Sequence, residues 1–342
     1  MSPALKILEP GPAASLQDWG RPGLQRFGVP VSGALDAVSL AIANIVAGNP
    51  PGSAAIEILG AGLVFEIEAE SVTLALAGMA EGLTLQRGTD APLRYPGLRG
   101  ITARRGDLVR IPSPKGGAVS YLAASGGFDI APVLGSRSTY RRASLGGYRG
   151  RSFLAGDRIP LCLPSPAPAP VRLEASIEAP GCLRIMRGPN AAYFSPRALE
   201  TLLASAYTVT PASDRMGLRM QGPLLECGTQ GELPSQATTA GALQVPSDGQ
   251  PILLMADRQT VGGYPRIATV IGADIAAAGR LAAGMSIRFE EVGREEAVRL
   301  LKEQQTWLAS LPAQLERAGA DALTAEQLLS GNLIGGVTAG EE

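Results

Sequence analysis

The sequence predicts a mainly β fold with a few helices, arranged as two weakly similar β domains in tandem. Three observations lead there. The 43 glycines and 27 prolines are spread along all 342 residues, which leaves room for short elements in most places. Between them lie brief runs of aliphatic and β-branched residues. A proline-rich stretch near the middle is followed by segments that echo the start of the chain.

The strand-type runs of the first half are residues 5–8, 55–59, 63–67, 72–76, 108–111 and 119–123. Short strands separated by turn residues argue for a sandwich or barrel rather than βαβ units. Residues 34–47 stand apart: Leu35, Val38, Ile42 and Ile45 recur at helical spacing, Asp36 lies in the first turn, and Gly48-Asn49-Pro50 supplies a stop. This helix follows the Gly/Pro-rich loop 19–33, so the loop is delivered at a helix N-terminus. The run Pro164-Ser165-Pro166-Ala167-Pro168-Ala169-Pro170 reads as a stiff extended linker. Beyond it, Leu183-Arg184-Ile185-Met186-Arg187-Gly188-Pro189 echoes Leu5-Lys6-Ile7-Leu8-Glu9-Pro10, and both halves close on a glycine-led strand, at 156–161 and 284–289. Ser195 followed by Pro196 predicts an N-cap and a helix to Leu203. Further helices are expected at 273–282 and 294–311, the last with Val298, Leu301 and Leu308 on one face. The resulting division is 1–163 and 181–292 for the β domains, 164–180 for the linker, and 293–342 for a helix with a mobile or docking tail.

Composition removes several functions. The net charge is -1, which gives no footprint for nucleic acid or an anionic membrane. The first residues lack the basic and apolar regions of a leader, and no run reaches the ~20 apolar residues of a bilayer span. The expectation is a soluble, cytoplasmic protein. Cys162, Cys182 and Cys227 are isolated in sequence, so neither a disulfide framework nor a zinc site is expected, and each is read as a small buried hydrophobe. The chain has no histidine. That excludes Ser-His-Asp and Cys-His nucleophile pairs, histidine-ligated metals and imidazole acid/base work. No metal site is expected. Walker A, GxGxxG, HExxH and GxSxG motifs are absent too.

Three polar, glycine-rich clusters remain. The first runs from Gln17-Asp18-Trp19-Gly20-Arg21 to Ser32-Gly33-Ala34-Leu35-Asp36. Backbone N–H groups of Ser32 to Leu35 at the helix start would suit an anion such as a carboxylate; a purely structural alternative pairs Asp18 with Arg21. The second is Ser213-Asp214-Arg215-Met216-Gly217, with Ser235 and Gln236 further on. Arg215 is suited to a two-point grip on a carboxylate, and Ser213 or Ser235 to donating to a carbonyl. The third opens with Gln244-Val245-Pro246-Ser247-Asp248-Gly249-Gln250-Pro251, after which the apolar run 252–256 leads into Asp257-Arg258-Gln259-Thr260-Val261-Gly262-Gly263-Tyr264-Pro265. A polar quartet ending a buried strand aims side chains at a pocket. Asp257 is a candidate general base or N–H acceptor, Gln259 and Thr260 are suited to positioning, and Tyr264 to donating or stacking.

Taken together, Ser32 to Asp36, Ser213 to Gly217 and Asp257 to Pro265 resemble the signatures of the family that contains the C subunit of 5-oxoprolinase. That family is also called allophanate hydrolase subunit 2 or KipI antagonist, and it is similar to half of the carboxyltransferase domain of urea carboxylase. The likeness spans roughly residues 5 to 292. It implies two tandem cyclophilin-like β-barrel domains. It also implies a partner, the KipI-like B subunit of related fold. With that partner and an A subunit, the family opens 5-oxo-L-proline to L-glutamate using ATP. No ATP site is located in this chain. In the urea carboxylase branch the equivalent domain moves a carboxyl group from carboxybiotin to urea; biotin would then come from another polypeptide, since this chain lacks a Met-Lys biotinylation tetrad. A third reading is a regulatory antagonist that binds a kinase-inhibitor homologue. The enzymatic readings make Asp257, Gln259 and Tyr264 the catalytic candidates. Ser32, Asp36, Ser213, Arg215, Ser235, Gln236, Thr260, Gly262 and Gly263 become the substrate-binding ones, around a planar amide or ureide.

Overall fold

Parity along the strands decides what the first half buries. In Ala55–Leu59, Ile56 and Ile58 face one side and Ala55 and Glu57 the other. In Val119–Ala124, Leu122 and Ala124 join the first face, while Val119, Tyr121 and Ala123 take the second. These two strands belong to a five-stranded sheet, in spatial order Ser15–Gln17, Ala55–Leu59, Val119–Ala124, Ser71–Gly78 and Gly100–Arg104. Its first face closes on a six-stranded sheet ordered Arg158–Pro160, Ala4–Glu9, Leu63–Ile67, Leu108–Ile111, Gly82–Gln86 and Leu93–Pro96. Leu5, Ile7, Leu16, Phe65, Leu74 and Val109 fill the space between; each contributes roughly 1.5–3 kcal/mol by leaving water. The structure is a computed structural model that describes residues 2–163, 169–227 and 233–318. Residues 164–168 of the expected linker and the tail from 319 onward lie outside the described residues.

The second face of the five-stranded sheet is covered by α1 (Ala37–Val46), whose Val38, Leu40, Ile42 and Ile45 pack on Ala75, Val119 and Tyr121. The helix starts three residues later than the spacing predicts. Asp36 is its N-cap rather than a first-turn residue, accepting from Val38 N at 3.1 Å and Ser39 N at 3.0 Å.

The second half closes on itself. Seven strands form a barrel in the order Cys182–Arg187, Arg266–Val270, Ala242–Gln244, Ile252–Leu254, Gly217–Gln221, Tyr207–Val209 and Ser286–Glu291. Closure comes from Ser286–Glu291, which pairs in parallel with Cys182–Arg187 on one side and antiparallel with Tyr207–Val209 on the other. Its counterpart in the first half, Arg158–Pro160, has three residues, an antiparallel ladder to Ala4–Lys6 and, among the described residues, on its other side a single bridge, Phe128 opposite Leu161. The expectation of two barrels is therefore met by one closed barrel and a pair of packed sheets.

Helices cover the barrel. α2 (Pro196–Ala204) begins as predicted, with Ser195 Oγ accepting from Ala198 N at 3.2 Å and Leu202 buried. α3 (Gly272–Ala278) is shorter than expected. A side chain at Gly279 would meet the Leu35 carbonyl at 2.3 Å, so glycine here lets the loop before α1 pass against the helix end. α4 (Arg294–Ser310) lies on α3 through Gln304 Nε2, which donates to Ala273 O at 2.7 Å, and through Leu301 over Gly272. Val298, expected on the same face, is exposed.

The three cysteines correct another expectation: Cys162, Cys182 and Cys227 are exposed and not in a core. Among the described residues no helix is long and apolar enough to cross a membrane.

Candidate functional site

Glu57 and Tyr121 stand opposite each other in an antiparallel ladder, so their side chains leave the sheet on one side. There the loop before α1 meets the second half of the chain. Tyr121 Oη donates to Glu57 Oε2 at 2.7 Å, and Leu35 N donates to the same oxygen at 3.0 Å. The other oxygen of Glu57 accepts from Arg215 Nη1. Arg215 also donates from Nε to Asp257 Oδ2 at 2.9 Å, from Nη2 to Asp257 Oδ1 at 3.1 Å, and from Nη2 to the Gly33 carbonyl at 2.5 Å. Ser32 Oγ donates to Asp257 Oδ1 at 2.5 Å.

All of these side chains are buried. Burial by itself would lower the Arg215 pKa, but Glu57 and Asp257 hold it above its ordinary value. Burial, followed by the charges of Glu57 and Asp36, raises the Tyr121 phenol well above its ordinary value and keeps it a donor. Asp36 extends the network: besides capping α1 it accepts from Arg280 Nε at 2.6 Å, and its own N–H goes to Tyr121 Oη at 2.9 Å. Ser32, at φ 58°, holds a left-handed conformation that costs a non-glycine residue roughly 1–2 kcal/mol. That conformation turns its hydroxyl toward Asp257.

Two clefts flank this network. One, of about 350 Å³, lies between the halves and is mostly apolar, lined by Leu35, Leu59, Leu218, Met255 and Leu281, with Ser213 and Asp214 at its polar edge. The other, of about 230 Å³, opens at one end of the barrel strands between Arg142, Asp214, Met216, Gln244, Gln259 and Tyr264. Asp214 lines both, and Arg142 Nη2 meets its Oδ2 at 3.3 Å.

The residues singled out in the sequence divide accordingly. Asp257, Arg215 and Ser32 come together, but on one another, and Asp36 joins them through Tyr121: both oxygens of Asp257 are occupied, and the grip of Arg215 closes on Asp257 and Glu57. The anion cradle foreseen at Ser32 to Leu35 is taken up as well. Ser32 N donates to Ala256 O at 3.1 Å, Ala34 N to Asp18 O at 2.9 Å, and Leu35 N to Glu57. Gln259 and Tyr264 face the smaller cleft, and Ser213 the larger. Ser213 Oγ accepts from Arg219 N at 3.0 Å. Gln236 Oε1 is held by Arg266 and Asn190. Thr260 gives its carbonyl to Thr238 N at 3.0 Å. Gly262 pairs with Gln236 in a two-residue ladder, and Ser235 lies beside Gly263.

Asp18 and Arg21 do not pair. Asp18 accepts from Gly20 N at 2.7 Å, Ser136 Oγ at 2.6 Å and Arg137 N at 2.6 Å. Arg21, 1% exposed, donates from Nη2 to Ser138 O at 2.5 Å, and its Nε and Nη1 have no partner among the described residues. Burial lowers its pKa, opposed by Asp18 and Asp257.

Sequence reasoning missed Glu57, Tyr121, Arg280 and Arg142, and it placed Gln244 in the third cluster without giving it a role. For Glu57 there was a signal: it is the one charge inside the apolar run Ala55–Leu59, and a buried carboxylate requires a partner. Arg142 lies in an arginine- and glycine-rich loop, 137–151, whose composition alone marks it.

Comparison with known proteins gives a consistent picture. The family description "Carboxyltransferase domain, subdomain A and B" matches residues 27–291. The chain is 34% identical over 319 residues to the C subunit of the Escherichia coli K12 5-oxoprolinase, covering 91% of this chain and 98% of that one. It is 36% identical over 308 residues to the corresponding C subunit of Haemophilus influenzae 5-oxoprolinase, covering 89% and 96%. Against the Saccharomyces cerevisiae urea amidolyase it is 31% identical over 326 residues, covering 88% of this chain and 17% of that protein. Among solved structures, the Kluyveromyces lactis urea carboxylase superposes with a TM-score of 0.82 at 27% identity, over 93% of this chain and 30% of that one.

Proposed function

The chain belongs to the carboxyltransferase domain family, subdomains A and B, and from that premise we propose that it is one component of an enzyme acting on a small planar amide. The specific reading is the C subunit of a 5-oxoprolinase, working with its A and B subunits to open 5-oxo-L-proline to L-glutamate at the expense of ATP. The observation that carries the amide reading is the 230 Å³ cleft, where Gln259 and Tyr264 stand beside Gln244. Such a lining offers N–H donors, carbonyl acceptors and a phenol, the complement of an amide's own C=O and N–H. Full-length similarity to free-standing bacterial subunits supports the 5-oxoproline branch over a fused one.

In this reading Gln259 and Tyr264 touch the ligand. Asp257 is a positioning residue: clasped by Arg215 and Ser32, it anchors the start of the turn that carries Gln259 and Tyr264. We assign ATP and biotin to no residue of this chain. We read the packed sheets of the first half as an opened counterpart of the barrel, in keeping with a tandem cyclophilin-like origin.

A second reading, a carboxyltransferase half acting on urea or a related amide, is favoured by the superposition on urea carboxylase. The test is turnover by the chain reconstituted with homologues of the B and A subunits. ATP-dependent conversion of 5-oxoproline without consumption of urea supports the first reading. Carboxylation of urea in the presence of a carboxybiotin donor, with 5-oxoproline untouched, supports the second.

A further inference from the structure

Resting on the amide reading above, we infer that Gln244 and Gln259 form a paired amide-recognition element whose ligand is a cis amide, a lactam or urea presenting C=O and N–H on one edge. Gln244 ends the barrel strand Ala242–Gln244 and is 2% exposed. The register against Arg266–Val270 shifts between Leu243 and Gln244, and such an irregularity re-aims the side chain that follows it. The re-aimed Gln244 lines the cleft. Its Oε1 accepts from Gln259 Nε2 at 3.0 Å. Its Nε2 is then a buried donor with no partner among the described residues. Buried amide N–H groups are seldom left unpaired in folded proteins, and one beside a cavity is poised for an acceptor.

The pair therefore has two outer groups, the Nε2 of Gln244 and the Oε1 of Gln259. A ligand carbonyl accepts from the first and a ligand N–H donates to the second. Gly262 keeps the place open: a methyl there would lie 2.7 Å from Gln244 Nε2 and 3.2 Å from Gln259 Nε2.

The probe is 2-pyrrolidinone, a ring lactam, with N-methyl-2-pyrrolidinone as the analogue lacking the N–H, each titrated into the full-length chain by saturation-transfer NMR. Wild-type protein binds 2-pyrrolidinone and binds the N-methyl analogue at least about tenfold more weakly, the loss of one hydrogen bond. Gln244→Glu keeps the oxygen that Gln259 needs and replaces the free N–H by an acceptor. It loses at least about tenfold in affinity for 2-pyrrolidinone, with its melting temperature near that of the wild type. Gly262→Ala, in the short ladder with Gln236, tests the same space should Gln244→Glu fold poorly, and it too loses lactam binding. Equal binding of the two probes, wild-type affinity in either folded variant, or no lactam binding by the wild-type chain overturns the pair. Turnover separates this from the reading it rests on. A reconstituted assembly carrying Gln244→Glu that opens 5-oxoproline at the wild-type kcat/KM removes the pair and leaves the 5-oxoprolinase assignment. A wild-type assembly that processes neither 5-oxoproline nor urea, while the chain still binds 2-pyrrolidinone, does the reverse.

Discussion

Glu57 and Arg215, 158 residues apart in sequence, form an ion pair in which the residues are 0% and 3% exposed, joining the five-stranded sheet to the loop that leads into a barrel strand. Together with Asp257 on the far side of the guanidinium, this pair makes the two halves one cooperative unit around the clefts.

Removing the guanidinium strands two buried carboxylates. Arg215→Met is expected to lower stability by about 3–5 kcal/mol, as for other buried pairs broken on one side. Arg215→Lys also falls well short of wild type, because an ammonium cannot reproduce the forked contacts to Glu57, Asp257 and Gly33. Equilibrium urea denaturation measures both. A loss under about 1 kcal/mol for Arg215→Met would show the network to be dispensable.

Asp36 serves two purposes that substitution can separate. Asp36→Ala loses the cap on α1 and the contact to Arg280, and is expected to cost about 2 kcal/mol or more. Asp36→Asn keeps an acceptor for Val38 N and Ser39 N and loses less. Thermal melts that rank the two variants in the opposite order would refute the capping role.

Acid sensitivity has one identifiable source at the edge of the six-stranded sheet. Hydrogen bonds from Arg151, at 2.7 and 2.8 Å, hold the Asp157 carboxyl below its ordinary value, with burial opposing and Leu154 N–H assisting. A lowered folded value adds stability that is present above the unfolded value of about 3.9 and is lost as pH falls through the folded one. Asp157→Asn therefore destabilises at neutral pH, and the gap to wild type narrows below about pH 4. Denaturation at pH 7 and pH 3 checks this; a gap that widens on acidification contradicts it.

Local chemistry was legible in the sequence. Ser195 and Pro196 open α2 as expected, the strand runs appear at their places, and the polar turn after the apolar run 252–256 does border a cleft. What could not be read depends on pairing across distance. Arg215 looks like a substrate clamp until Glu57 and Asp257 are placed around it, and the N–H groups of Ala34 and Leu35 look free until Asp18 O and Glu57 arrive. Closure of a single barrel likewise turns on whether the last strand builds ladders on both sides, as Ser286–Glu291 does, whereas Arg158–Pro160 has a ladder to Ala4–Lys6 and on its other side one bridge, Phe128 opposite Leu161.

The most direct test of the site is steady-state turnover of 5-oxoproline by the reconstituted assembly carrying Gln259→Leu or Tyr264→Phe. Gln259→Leu is predicted to lower kcat/KM by about a hundredfold and Tyr264→Phe by about tenfold, with melting temperatures unchanged. Wild-type kcat/KM in both variants would place the chemistry away from this cleft.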